Sequence, residues 1–130
     1  MGVKAKFDHF NVNVTDLNHS IEFYSKALGF TEVSRKEAAD GSFVLVYLTD
    51  GVSPFLLELT WLRDHKDVYE LGENESHLCV RVSGDYNKVR AYHKEMGCVC
   101  FENEVMGLYF IHDPDDYWIE ILPAKEGIAL

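Results

Sequence analysis

A chain of 130 residues that is 47% hydrophobic and 26% charged carries enough apolar material for one core of ordinary domain size. Its 22 Asp and Glu against 12 Lys and Arg leave a net charge of −10, a field that repels polyanions and argues against nucleic acid or an anionic membrane as a partner. The longest apolar runs, such as Phe43 to Leu48, fall far short of the roughly 20 residues of a membrane helix, and no charged-then-apolar leader precedes Phe7, so a cytoplasmic protein is expected.

The first predicted element is a strand. His9 opens the run His-Phe-Asn-Val-Asn-Val, and a period of two sends Phe10, Val12 and Val14 to one face and His9, Asn11 and Asn13 to the other. A turn at Thr15-Asp16 leads into helical spacing at Ile21, Tyr24 and Leu28, closed by Gly29, the residue best able to take a left-handed stop. Further strands follow, the last of them carrying Glu58 between Leu57 and Leu59. Residues 62–75 are polar and read as a connector. The pattern then restarts. His77 opens His-Leu-Cys-Val-Arg-Val 68 residues after His9, and Val89, Tyr92 and Met96 take helical spacing before Gly97, again 68 residues after Gly29. Beyond the helix, Ile111-His112-Asp113 and Ile119-Glu120-Ile121 repeat Leu48-Thr49-Asp50 and Leu57-Glu58-Leu59 at a shorter offset of 62 to 63 residues.

An internal repeat of this kind means two copies of one supersecondary unit, each a strand, a helix and two or three antiparallel strands. The chain reads as a single α+β domain made of module 1 (about 6–61), the connector (62–75) and module 2 (about 76–123). Neither half can bury the polar face of its sheet alone, so the modules must pair, within one chain or across a two-fold axis.

The repeat also duplicates chemistry. His9 and His77 open the first strand of each copy, and Glu58 and Glu120 lie in the last. Taken singly, a histidine at a strand start is ordinarily a rim residue, and a glutamate on an exposed strand is ordinarily solvated. Recurrence of both at repeat-related positions favours ligands, because a glutamate set between large aliphatics is costly unless something pairs with it. Two imidazoles and two carboxylates suit a divalent cation with positions left for water or substrate. By parity Asn11, Leu56, Thr60, Cys79, Trp118 and Leu122 share the ligand face and are expected pocket walls. His19, His65, His93 and His112 have no partner of this kind and are expected to be exposed. Cys79, Cys98 and Cys100 cannot all pair and lack CxxC spacing. They are expected to be reduced, and Cys79 has no separate base to make it a nucleophile.

On Asp8-His9, Val14-Thr15-Asp16-Leu17, Ser20-Ile21-Glu22-Phe23-Tyr24 with Leu28-Gly29-Phe30, Leu57-Glu58-Leu59-Thr60, Tyr69-Glu70-Leu71-Gly72 and Asp113-Pro114-Asp115 with Ile119-Glu120, the chain resembles the vicinal oxygen chelate (glyoxalase/bleomycin resistance/dioxygenase) superfamily. Within it the likeness is to the bacterial lactoylglutathione lyase (glyoxalase I) family. The resemblance runs from Phe7 to Leu122 and implies tandem βαβββ modules whose curved sheets surround a metal site. It implies His9, Glu58, His77 and Glu120 as ligands of one divalent ion, nickel or cobalt by likeness, with zinc also compatible with these donors. It implies isomerisation of the hemithioacetal of methylglyoxal and a thiol to a 2-hydroxyacyl thioester through an enediolate, Glu120 acting as base with Glu58 assisting. It further implies a homodimer, His9 and Glu58 of one chain facing His77 and Glu120 of the other.

The anchors for glutathione depart from the family's pattern. The family's arginine on the first strand is Asn13 here, an asparagine beyond the Glu-Leu-Thr motif is Leu62, and an arginine before the second histidine is Glu73. Arg81 is the repeat equivalent of Asn13, on the ligand face, and is a candidate for the carboxylate of the substrate. With Asn11, Asn13, Thr60 and Trp118 it forms the expected substrate-binding set. The same four ligands also suit an acyl-thioester epimerase, whereas a dioxygenase is disfavoured because the fourth ligand, Glu58, reduces the positions open to oxygen and substrate, and retention of all four argues against the superfamily's metal-free proteins that sequester a drug. Asp116 stands where the superfamily usually has glycine, and a turn there is expected to survive because Asp tolerates a left-handed backbone.

Overall fold

A computed structural model describes residues 2–125. The chain forms two compact units divided between Tyr69 and Glu70, inside the expected connector. The first contains β1 (His9–Val14), α1 (Leu17–Leu28), β2 (Thr31–Glu37), β3 (Phe43–Thr49) and β4 (Leu56–Leu62). The second repeats this order with β5 (Leu78–Val82), α2 (Tyr86–Met96), β6 (Val99–Asn103), β7 (Leu108–His112) and β8 (Trp118–Pro123). Each unit is therefore βαβββ. The sheet orders match as well, β1-β4-β3-β2 and β5-β8-β7-β6, with the first strand parallel to the last and the other pairs antiparallel. No helix among the described residues is long and apolar enough to cross a membrane.

Alternation along the strands separates a covered face from an open one. In the first unit Val12, Val14, Val46, Leu48, Leu57 and Leu59 are buried together with Phe23, Tyr24 and Ala27 of α1, as expected for an amphipathic helix laid on one face of a sheet. In the second unit Tyr109, Ile111, Ile119 and Ile121 form the equivalent layer. The opposite face of each sheet carries the polar and aromatic residues developed below.

The helices are bounded by local chemistry. Asp16 accepts from the His19 N–H and Asp85 from the N–H groups of Asn87 and Lys88, and Gly29 and Gly97 close the C-termini at φ 72° and 77°. The caps also correct one expectation. The N-cap aspartates are 69 residues apart while the closing glycines are 68 apart, so α2 has 11 residues against 12 in α1. The cap sets the helix phase, and counting from it places His93, not Tyr92, where Tyr24 lies in α1. His93 is accordingly 0% exposed and Tyr92 45% exposed, contrary to the expectation of an exposed His93. The His93 Nδ1 lies 2.8 Å from the Tyr109 hydroxyl. His19 is exposed as expected, while His65 and His112 are half-buried; His65 stacks on Tyr69 and His112 meets Asp116. Asp116 takes φ 72° and its N–H donates to the Asp113 carbonyl at 2.9 Å, so the turn before β8 forms without glycine.

Candidate functional site

In the first unit β1 lies parallel to β4 in a register that sets Asn11 opposite Glu58 and Asn13 opposite Thr60. The His9 Nε2 comes within 3.8 Å of Glu58 Oε2, and its Nδ1 is 2.6 Å from Asp8 Oδ2. The hydrogen bond to Asp8 leads in raising the His9 pKa above its ordinary value; slight desolvation of the ring opposes it, and the Glu58 charge adds to the rise. From β3, Tyr47 sits directly opposite Glu58. Its hydroxyl donates to Glu58 Oε2, its ring meets His9 edge-on at 5.6 Å, and the bond to Glu58 pushes the phenol pKa up. A polar ladder continues on the same face, where the Thr60 hydroxyl donates to Asn11 Oδ1 and Asn11 Nδ2 donates to Asn13 Oδ1 at 2.8 Å.

The second unit builds the same pair. His77 Nε2 lies 3.3 Å from Glu120 Oε1, and its Nδ1 is 3.3 Å from the Glu75 carbonyl oxygen. Phe110 from β7 stands opposite Glu120 and meets the His77 ring edge-on at 5.0 Å. Cys79 is opposite Glu120 in the parallel register. Burial, and then the neighbouring carboxylate, hold its thiol up at about 11, which keeps it protonated near neutrality and unsuited to nucleophilic attack. Trp118 packs against Phe101 and Phe110. A cavity of about 420 Å³ opens beside them, lined by His77, Phe110 and Trp118 with Glu73, Glu75 and Asp116. Arg81 is exposed and donates from Nη1 to the Pro123 carbonyl at 2.8 Å.

Both pairs pose one chemical question. An acceptor at each Nδ1 draws the ring proton there, leaving the Nε2 lone pair turned toward a carboxylate. Two acceptors at 3.3 to 3.8 Å need a cation between them, either a proton on the imidazole or a metal ion. The carboxylates are mostly covered, at 12% and 18% side-chain exposure, which raises the cost of leaving them unpaired. Imidazoles held from Nδ1 by an outer acceptor are the usual arrangement of metal-ligating histidines, so the donor chemistry fits a divalent cation. Among the described residues no group of three or more His, Cys, Asp or Glu gathers as a ready ligand cluster; the donors occur as these two pairs.

Two residues around the pairs escaped sequence reasoning. In the sequence Asp8 stands in a motif that assigns it no role, and Tyr47 lies within the apolar run Phe43 to Leu48. The signal for Tyr47 was present, because the 63-residue offset that relates Asp50 to Asp113 also relates Tyr47 to Phe110.

A sequence model of the Glyoxalase/Bleomycin resistance protein/Dioxygenase superfamily matches residues 6–121. A lactoylglutathione lyase of Neisseria meningitidis is 31% identical over 126 residues, covering 92% of this chain and 91% of the relative. The trypanothione-dependent glyoxalase I of Leishmania major superposes with a TM-score of 0.79 at 27% identity, over 92% of this chain and 87% of that one. The fosfomycin resistance protein FosX of Listeria monocytogenes, at 12% identity, shares the fold with a TM-score of 0.75 over 95% and 96% of the two chains.

Proposed function

The chain belongs to the Glyoxalase/Bleomycin resistance protein/Dioxygenase superfamily, and we propose that within it this protein is a metal-dependent glyoxalase I. Its substrate is the hemithioacetal of methylglyoxal and a low-molecular-weight thiol, and its product the 2-hydroxyacyl thioester. The observation that carries the reading is the duplicated imidazole–carboxylate pair, each ring tied back at Nδ1 with Nε2 facing a glutamate. Relatives named lactoylglutathione lyase that align over nearly the whole chain support it.

His9, Glu58, His77 and Glu120 are the proposed ligands of one divalent ion, the two half-modules contributing one pair each in a homodimer. A bound divalent ion supplies electrostatic stabilisation of the negative charge that develops on the substrate oxygens. The remaining chemistry falls to side chains. Substrate and product are isomers that differ by one proton moved between adjacent carbons and a second moved from the hydroxyl on the carbon bearing sulfur to the former carbonyl oxygen. Glu120 takes the proton from the carbon bearing sulfur and delivers it to the former carbonyl carbon, so the carboxylate ends as it began. Glu58 is the second carboxylate of the set. Asp8 and the Glu75 carbonyl hold the two imidazoles in the orientation that presents Nε2. Trp118 and Phe110 wall the cavity on the His77 side. Asn11, Asn13 and Thr60, on β1 and β4 of the first unit, and Arg81, on β5 of the second, are the proposed contacts to the thiol carrier.

The test supplies metal-free protein with nickel, cobalt or zinc and follows thioester formation from methylglyoxal with several thiols. Turnover with at least one combination is expected, and Glu120→Gln should lower kcat about 100-fold or more, the usual contribution of a general base. No turnover with any metal and thiol would overturn the reading, and an active Glu120→Gln would move the base to Glu58.

A further inference from the structure

The two units place the same pair in unlike surroundings. We infer that Tyr47 is a positioning residue that restrains Glu58 and leaves Glu120 as the carboxylate free to move a proton, an inference that rests on the function proposed above.

Three repeat-related neighbours carry the difference. Tyr47 and Phe110 each stand opposite the glutamate on the adjacent antiparallel strand, yet only the tyrosine has a hydroxyl, and it donates to Glu58 Oε2. Asn11 and Cys79 stand opposite the glutamate on the parallel side. Thr60 and Leu122 follow two residues beyond it on the same face, and the Thr60 hydroxyl lies 3.4 Å from Glu58 Oε1. Glu58 is thus bordered by two hydroxyls and an amide, and Glu120 by a phenyl ring, a thiol and an aliphatic chain.

The physical consequence is a difference in freedom. A hydroxyl bond to a half-buried carboxylate favours the rotamer that makes it, and moving the carboxylate leaves a phenol without its acceptor. Glu120 meets no such tether from β7, and its side-chain partner from β5 is the Cys79 thiol, a weaker donor than a phenol. The aromatic ring itself is not what differs, since each packs edge-on against its imidazole at 5.6 Å and 85° in one unit and 5.0 Å and 80° in the other. On the antiparallel side the difference is one hydroxyl, present at 47 and absent at 110, and it bonds Glu58 alone.

Exchange of that hydroxyl tests the inference. Tyr47→Phe should lower the affinity for Co²⁺, measured by titration calorimetry, by about tenfold or more, and alter the visible absorption of the cobalt protein. Phe110→Tyr should leave Co²⁺ affinity undiminished and KM within about twofold, while lowering kcat about tenfold or more by tethering the base. Either a Tyr47→Phe protein with unchanged affinity and spectrum, or a Phe110→Tyr protein with unchanged kcat, would overturn it. Wild-type protein that takes up no metal would overturn both this inference and the function it rests on. Wild-type protein that binds metal and turns over, while either variant behaves as it does, fails the inference alone.

Discussion

At the scale of single residues, His9 and His77 reach one orientation by different means, a carboxylate behind the first ring and a backbone carbonyl behind the second. The imidazoles and glutamates were legible in the sequence because a repeat marked them twice. The groups behind them were not, since Asp8 has no counterpart before His77, where Ser76 stands, and the second acceptor belongs to the main chain. Arg81 is the basic residue of β5, the strand that follows His77, and one of its donors already meets the Pro123 carbonyl. A guanidinium keeps further donors for a carboxylate in that posture. Arg81→Ala is expected to raise KM for carboxylate-bearing thiol adducts about tenfold, the scale of one lost charged hydrogen bond, with little change in kcat. A KM equal to that of the wild type would remove Arg81 from the substrate site.

At the scale of elements, the period of two along each strand was enough to separate the covered face from the open one, and Asn11, Thr60, Cys79, Trp118 and Leu122 share the ligand face by register as parity predicts. The helix phase was not, because a one-residue difference between the cap-to-cap and glycine-to-glycine offsets rotates every α2 side chain by about 100°. That rotation buries His93 and exposes Tyr92. The β3–β4 turn offers an independent test of element chemistry. Asp50 accepts from the N–H groups of Val52 and Ser53 and from the Ser53 hydroxyl, each at 2.8 Å. Partial burial alone would raise its carboxyl, but these bonds outweigh it and lower the pKa from 3.8. A depressed folded-state pKa gives stability that is complete above the unfolded value and lost as the pH falls through the folded one. Asp50→Ala should therefore cost about 1 kcal/mol at pH 7 by urea unfolding, the scale of a lost capping side chain, and the gap to the wild type should close below about pH 4. A gap that persists unchanged in acid would show that the carboxylate charge contributes nothing to this turn.

At the scale of the whole molecule, an excess of ten acidic groups has a more particular meaning once two glutamates are read as ligands. Their charge is then spent on a cation. Addition of a divalent metal at about 100 times its Kd should stabilise the folded protein by about 2.7 kcal/mol, seen as a rise in Tm that a chelator reverses. One ion per chain is expected, and His9→Ala should abolish binding instead of halving it. Two independent ions per chain, with one surviving His9→Ala, would show that each pair holds its own metal. The sequence by itself determined the duplicated order of a strand, a helix and two or three further strands and the ligand-type pairs, because period, spacing and repeat are properties of neighbours along the chain; the full βαβββ count and the departures at Asn13, Leu62 and Glu73 came from the family resemblance. Only the tertiary structure decided that His93 is buried, that Tyr47 is tethered to Glu58 and that Phe110 leaves Glu120 without a hydroxyl partner. Those depend on helix phase and on which residues strand register brings side by side, and neither is carried by the local pattern.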